Sequence, residues 1–196
     1  MRKYGEAIPT EYHGVKFRSR LEANVAMFLD ALKIKWQYEV MSYLLPSGHY
    51  LPDFYCPEIK QFIEVKGEVD ADRLSHALLL CGELAEKMKC DVLMFGRPNT
   101  NFMYEWFGDG VQEDFDISEV CCSHCGKSSF CSNLGSYHCR ACKAHEGDHD
   151  VGRSINRIDF SNLEEIKSEL GFEKAIRETR CYSSPPLNKS ASSTQA

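Results

Sequence analysis

Two Cys-x-x-Cys pairs, Cys122-Ser123-His124-Cys125 and Cys139-Arg140-Ala141-Cys142, stand thirteen residues apart and constrain the chain more than any other feature. The sequence holds 10 cysteines in 196 residues. No apolar run follows the charges of Met1-Arg2-Lys3-Tyr4-Gly5, so the expected location is cytoplasmic rather than secreted. Thiols stay reduced there, and clustered cysteines then read as metal ligands before disulfides. Four thiolates from two tight turns make the soft, tetrahedral site that Zn2+ prefers. The stretch Ser128 to His138, with a Gly135 turn and Phe130 and Tyr137 on either arm, suits the hairpin of a zinc ribbon. The expected ligands are Cys122, Cys125, Cys139 and Cys142. Cys121 could replace Cys122, and Cys131, His124, His138, His145 and His149 are spare candidates. Cys56, Cys81 and Cys90 read as small core residues. So short a module buries little apolar surface, and its metal would supply the folding energy. With no open coordination position, the module's expected role is structural, or to present a surface to DNA or to a protein partner. It is expected to be thermodynamically separable from the rest.

Upstream of the cysteines the hydrophobic period alternates between helix and strand. Leu21, Val25, Phe28, Leu29 and Leu32 recur at helical spacing, predicting a helix over Ser19–Leu32. Trp36 to Val40 alternates as a strand. Tyr43-Leu44-Leu45, the turn Pro46-Ser47-Gly48 and Tyr50 to Tyr55 predict a hairpin, with Pro52 at a bulge or an edge. Gln61 to Lys66 is a third strand. Leu74, Leu78, Cys81, Ala85 and Met88 mark a second helix over Ala71–Met88. Asp91 to Gly96 is a short apolar strand of the buried kind. The order α-β-β-β-α-β predicts an α/β fold with a mixed sheet flanked by helices. Residues 97–120 show no clear period. The expected divisions are a core over 1–119, the zinc ribbon over 120–150, a helical segment over 151–182 and a disordered tail over 183–196. Within the third of these, Ser161 to Leu170 reads as a helix opened by a capping box and closed by Gly171.

Charge separates along the chain. Residues 1–36 carry seven basic and four acidic side chains, while residues 37–119 carry six and sixteen, within a net charge of −6 overall. The acidic balance excludes a simple basic nucleic-acid binder but not an enzyme whose site needs carboxylates. No stretch approaches the roughly 18 apolar residues of a membrane span.

The third strand carries the chemistry. Phe62, Glu64 and Lys66 share one face of it, and Ile63 and Val65 the other. Pro52-Asp53 lies on the partner strand, from which Asp53 can face Glu64. Two facing carboxylates repel unless a cation sits between them, and oxygen-only donors suit Mg2+ or Mn2+. Pro52-Asp53 followed by Glu64-Val65-Lys66 resembles the signature of the PD-(D/E)XK nuclease superfamily. The helix start Phe17-Arg18-Ser19-Arg20-Leu21-Glu22-Ala23 resembles the one that supplies a further acidic residue in its phage-type and junction-resolving branches. The likeness covers roughly residues 4–97 and implies a restriction-endonuclease-like core.

The resemblance implies a metal-dependent DNA endonuclease, hydrolysing phosphodiester bonds through a metal-activated water. Asp53 and Glu64 would hold Mg2+ or Mn2+ with the Val65 backbone carbonyl, and Glu22 would join directly or through water. Lys66 would orient or deprotonate the attacking water. Arg18 and Arg20 could contact DNA phosphates, and Gly67 lets the chain leave the cleft. The Ser19-x-x-Glu22 spacing is also a plain capping box. Glu39, His49 and Glu68 lie near the motif. One alternative is a resolvase of branched DNA, which would act as a homodimer. A second is a non-catalytic adaptor binding DNA or protein through the ribbon. The resemblance places the protein in a bacterial or phage-infected cell.

Overall fold

Fourteen elements follow one another in the computed structural model, which describes residues 7–67, 70–96, 101–132 and 138–144. A hairpin of β1 (Thr10–Tyr12) and β2 (Val15–Phe17) leads into helix α1 (Arg20–Ala31). Then come β3 (Gln37–Tyr38), the hairpin β4 (Tyr43–Leu45) and β5 (Gly48–Tyr50), and β6 (Phe54–Cys56). Strand β7 (Gln61–Val65), helix α2 (Ala71–Met88) and β8 (Asp91–Phe95) form a βαβ crossover with parallel strands. β9 (Phe102–Trp106), β10 (Val111–Asp114), β11 (Ile117–Cys121) and β12 (Ser128–Ser132) complete the order. One mixed sheet of six strands runs β10-β9-β8-β7-β6-β3.

Helix α1 begins where expected because Ser19, in extended backbone, accepts a hydrogen bond from the Glu22 amide at 3.2 Å. Helix α2 begins at Asp70, which accepts from Arg73, and stops at Lys89 in the left-handed region (φ 51°). The two helices cover opposite faces of the sheet. Val25, Phe28 and Leu29 of α1 pack with Phe54, Ile63, Val65, Leu93 and Phe95. Leu80, Cys81 and Leu84 of α2 pack with Phe62, Val92, Met94, Phe102 and Tyr104. The alternation read along β7 is therefore real: Phe62 faces α2 while Ile63 and Val65 face α1. The stripe of α2 is wider than the predicted one: Cys81 and Ala85 are fully buried and Leu74 and Leu78 pack against the same cluster, as expected. Ala77, Leu80 and Leu84 are buried, whereas Met88 is 39% exposed at the helix end.

Three other expectations change. The strand read over 36–40 shrinks to Gln37–Tyr38, because Glu39 turns into the left-handed region (φ 45°) and Val40 points to solvent. Pro52 is neither a bulge nor an edge; it is buried between the β4–β5 hairpin and β6, so the predicted single hairpin is two units. The unplaced stretch 97–120 contains β9, β10 and most of β11. The early hairpin β1–β2 turns at His13 and Gly14, both with positive φ (48° and 78°), the requirement of a tight two-residue turn. The helix read over 161–170, like everything from 145 onward, lies outside the described residues.

The β11–β12 hairpin shares the core of the sheet. Ile117 and Phe130 are fully buried among α1 and sheet residues. The Gln61 side-chain amide donates to the Phe130 carbonyl at 2.7 Å and accepts from the Phe130 amide at 3.2 Å, as one more rung of a ladder would. The boundary expected between 119 and 120 falls inside β11. Phe130→Ala should cost about 3–5 kcal/mol, the range for emptying an aromatic site in a packed core. Urea unfolding followed by Trp36 and Trp106 fluorescence should give one transition, shifted to lower urea. An unshifted core transition would show that the hairpin is a separate unit.

Candidate active site and metal centre

Pairing of Phe54 with Ile63 and Tyr55 with Phe62, continued by one step, places Asp53 opposite Glu64. Both carboxylates are almost fully buried, at 2% and 3% exposure. Asp53 Oδ2 accepts from the Val65 amide at 2.7 Å, and its Oδ1 meets Arg18 Nη2 at 2.6 Å. Glu64 Oε1 is ion-paired with Lys66 Nζ, and its Oε2 accepts from the Tyr50 hydroxyl at 2.8 Å. The same hydroxyl lies 3.3 Å from Cys81 Sγ. Cys81 is a core residue as expected, but it also lines this site.

Glu22 closes the other side. Its Oε1 accepts from Ser19 Oγ at 2.8 Å, and its Oε2 accepts from the Arg18 amide at 3.1 Å and from the Tyr38 hydroxyl. It is thus part of the helix cap and near enough to Asp53 to act on its charge. Glu39 Oε1 stands 2.8 Å from Arg18 Nε as an ion pair without hydrogen-bond alignment, and its amide donates to the Asp53 carbonyl at 2.9 Å. Arg20 is exposed at the first position of α1, His49 is exposed on β5, and Glu68 lies outside the described residues. The motif thus brings Arg18, Glu22, Asp53, Glu64 and Lys66 to one end of the β6–β7 pair. Tyr38, Tyr50 and Glu39 join them without any sequence signal beyond proximity.

Burial and the neighbouring Glu64 carboxylate push Asp53 up to about 8, with Glu22 adding to the rise and the Val65 amide and Lys66 opposing it. Burial acts against the charge of Lys66, but the Glu64 carboxylate overcomes it and holds Lys66 above its usual value. Burial carries the Tyr50 hydroxyl well up, so it is a neutral donor to Glu64. Of the four carboxylates here, Arg18 pairs with Asp53 and Glu39 and Lys66 with Glu64, while Glu22 is held by the Arg18 amide, Ser19 and Tyr38. All the donors are oxygens, which fit a hard divalent cation and not a soft one. The carboxylates do not close into a compact set, however. Among the described residues, the one group of three or more such ligand atoms lying within 4.8 Å of one another is made of cysteines.

That group is Cys122, Cys125, Cys139 and Cys142, and it could hold a metal ion. Cys122 and Cys142 sulfurs lie 3.7 Å apart and those of Cys125 and Cys139 3.6 Å. A tetrahedron with Zn–S bonds of about 2.3 Å has edges of about 3.8 Å, so the quartet has the size of a zinc site. Each knuckle turns the same way. The amide of Gly126 donates to the Cys122 carbonyl at 2.8 Å and that of Lys143 to the Cys139 carbonyl at 2.9 Å. Both residues are left-handed, at φ 68° and 66°. Burial raises the Cys139 thiol, but amides of Cys142 and Ala141 and the neighbouring thiols bring it down to about 6. Between the register alternatives, Cys122 is in the quartet and Cys121 is exposed on β11. Cys131 packs beside Cys122 and Cys139 as a core residue. Arg140, inside the second knuckle, donates to Asp91 at 2.8 Å and to Glu105 at 2.6 Å, tying the quartet to β8 and β9.

No family model, curated protein or solved structure matches this chain. No helix of the described residues is long and apolar enough to cross a membrane.

Two outcomes follow from this geometry. The folded state favours protonated Asp53, raised from 3.8 to about 8, so its contribution to stability is present at low pH and lost as pH rises through about 8. Melting temperature should fall between pH 5 and 8.5, and Asp53→Asn, which keeps an acceptor for the Val65 amide, should flatten that fall. Equal slopes for both proteins would contradict the shift. At the quartet, elemental analysis should find one zinc per chain, and Cys125→Ser should lose it. Because Arg140 and Phe130 anchor the module to the sheet, zinc loss should also lower the melting temperature of the core.

Proposed function

We propose that the chain is a metal-dependent DNA endonuclease of the PD-(D/E)XK type, with a structural zinc ribbon. The observation that carries this reading is the pair of buried carboxylates, Asp53 and Glu64, facing each other with Lys66 on one of them. Burying like charges side by side is costly, and a central strand end keeps such a group when a cation is bound there in use. The shortage of cations among Glu22, Glu39, Asp53 and Glu64 supports it further.

Asp53, Glu64 and the Val65 carbonyl would hold Mg2+ or Mn2+, with Glu22 joining directly or through water. Such an ion, when bound, activates a water for in-line attack and offsets charge on the scissile phosphate. Lys66 stays protonated beside Glu64, so it orients the water and neutralises phosphate charge rather than acting as a base. Tyr50 holds the second oxygen of Glu64 and leaves its first oxygen toward Lys66. The exposed Arg18 and Arg20 meet the DNA backbone.

Purified protein should cut linear, single-stranded, nicked or four-way-junction DNA in Mg2+ or Mn2+, with Ca2+ supporting binding but little cutting. Asp53→Ala, Glu64→Ala and Lys66→Ala should each reduce turnover by a factor on the order of 100 or more while circular dichroism stays native. Cleavage that persists in EDTA, or normal turnover by Lys66→Ala, would remove the nuclease reading.

A further inference from the structure

Arg18 is placed to do more than touch DNA. Its guanidinium lies against Asp53 Oδ1 at 2.6 Å and Glu39 Oε1 at 2.8 Å. Its side chain is 60% exposed while that of Asp53 is 3% exposed, so the guanidinium stands between this carboxylate oxygen and solvent. Its backbone is pinned: the Arg18 amide donates to Glu22 Oε2 at 3.1 Å and to the Tyr38 hydroxyl at 3.3 Å. The backbone is therefore a fixed pivot, and only the long side chain can change partners. Glu39, itself held by its amide on the Asp53 carbonyl, gives the guanidinium a second anchor once Asp53 is released.

We propose that Arg18 is a substrate-operated gate on the metal site. At rest it occupies Asp53 Oδ1, the oxygen a divalent cation would need, and competes with that cation. A DNA phosphodiester offers the guanidinium a bidentate acceptor at the solvent side. Moving onto it frees Asp53, so phosphate engagement and metal binding reinforce each other. This inference rests on the nuclease reading of the same site and adds its regulation: the metal is held tightly only when a phosphate backbone is present. By linkage the effect is reciprocal, and bound metal must tighten DNA binding in equal measure. Lys66 cannot do the same, since it pairs with Glu64, is half-buried and extends from the strand itself. Arg18 acts through Asp53 and is a positioning residue in this role.

The test reads metal binding rather than cleavage. Free Mn2+ is followed by electron paramagnetic resonance during titration of the full chain, with and without a short phosphorothioate duplex. Wild type, Arg18→Ala, Arg18→Lys and Asp53→Asn are compared. Without DNA, Arg18→Ala should bind Mn2+ about tenfold more tightly than wild type, because the guanidinium no longer occupies Asp53 Oδ1. Arg18→Lys, which keeps the charge but cannot bridge Asp53 and Glu39, should fall between them. The duplex should tighten Mn2+ binding to wild type by at least tenfold more than to Arg18→Ala. Equal or weaker Mn2+ binding by Arg18→Ala without DNA overturns the gate, even if the site binds metal. Indistinguishable titrations of wild type and Asp53→Asn, with and without duplex, overturn the metal site itself and the nuclease reading with it.

Discussion

All five residues of β7 are buried, and two of them, Gln61 and Glu64, are polar. A central strand tolerates that only if each polar side chain finds its own partners, and the rest of the molecule is arranged around supplying them. Gln61 is satisfied by Phe130 and Asp91, which draws the cysteine-bearing hairpin onto the sheet and gives it Phe130 as an anchor in the α1-side core. Glu64, three residues on and facing α2, is satisfied by Tyr50 and Lys66. Tyr50 comes from the β4–β5 hairpin, and that hairpin is tied to α2 through Ser47 on Glu83 and Lys87 on the Leu44 carbonyl. One strand therefore organises the zinc-sized quartet at one end and the carboxylate group at the other.

The carboxylate end is electrostatically unfinished, and the cysteine end is geometrically complete. At the quartet, sulfur separations match a tetrahedron, and each knuckle closes on itself through an amide donating to the carbonyl of its first cysteine. At the acid site, Arg18 and Lys66 divide Asp53, Glu39 and Glu64 between them, Glu22 is held by neutral donors, and Asp53 is pushed up by burial and by Glu64. A closed soft site suits a permanent ion that stabilises the fold. Under the proposed nuclease reading, an oxygen site crowded with like charge, covered by an exposed arginine, suits an exchangeable ion. Each end holds a non-glycine residue in left-handed backbone, Glu39 bonded to the Asp53 carbonyl through its amide and Lys143 bonded to the Cys139 carbonyl through its own.

Long periodic elements were legible. Both helices, β7 and β8 begin and end within a residue or two of the hydrophobic pattern, because each buries a wide apolar face against the sheet. Short strands were not. β3 keeps only Gln37 and Tyr38 since the alternation to Val40 competes with a backbone turn that Arg18 and Asp53 hold in place. β9 and β10 escaped notice because Glu105 interrupts the apolar run of β9, and β10 carries one apolar residue, Val111, beside Gln112, Glu113 and Asp114. The hairpin β1–β2 is three residues per arm, too short for a period to accumulate.

The sequence by itself determined the two charge-bearing motifs and the elements that carry them. Side-chain alternation and knuckle spacing are local rules, so Asp53 opposite Glu64 and the four sulfurs in one cluster follow from residues close along the chain. Only the tertiary structure decided the partners. Tyr50 reaches Glu64 from 14 positions away, Cys81 reaches Tyr50 from 31, Arg18 reaches Asp53 from 35, and Gln61 reaches Phe130 from 69. None of these pairings has a spacing rule, because a buried polar group accepts whichever donor the packing of distant elements delivers to it.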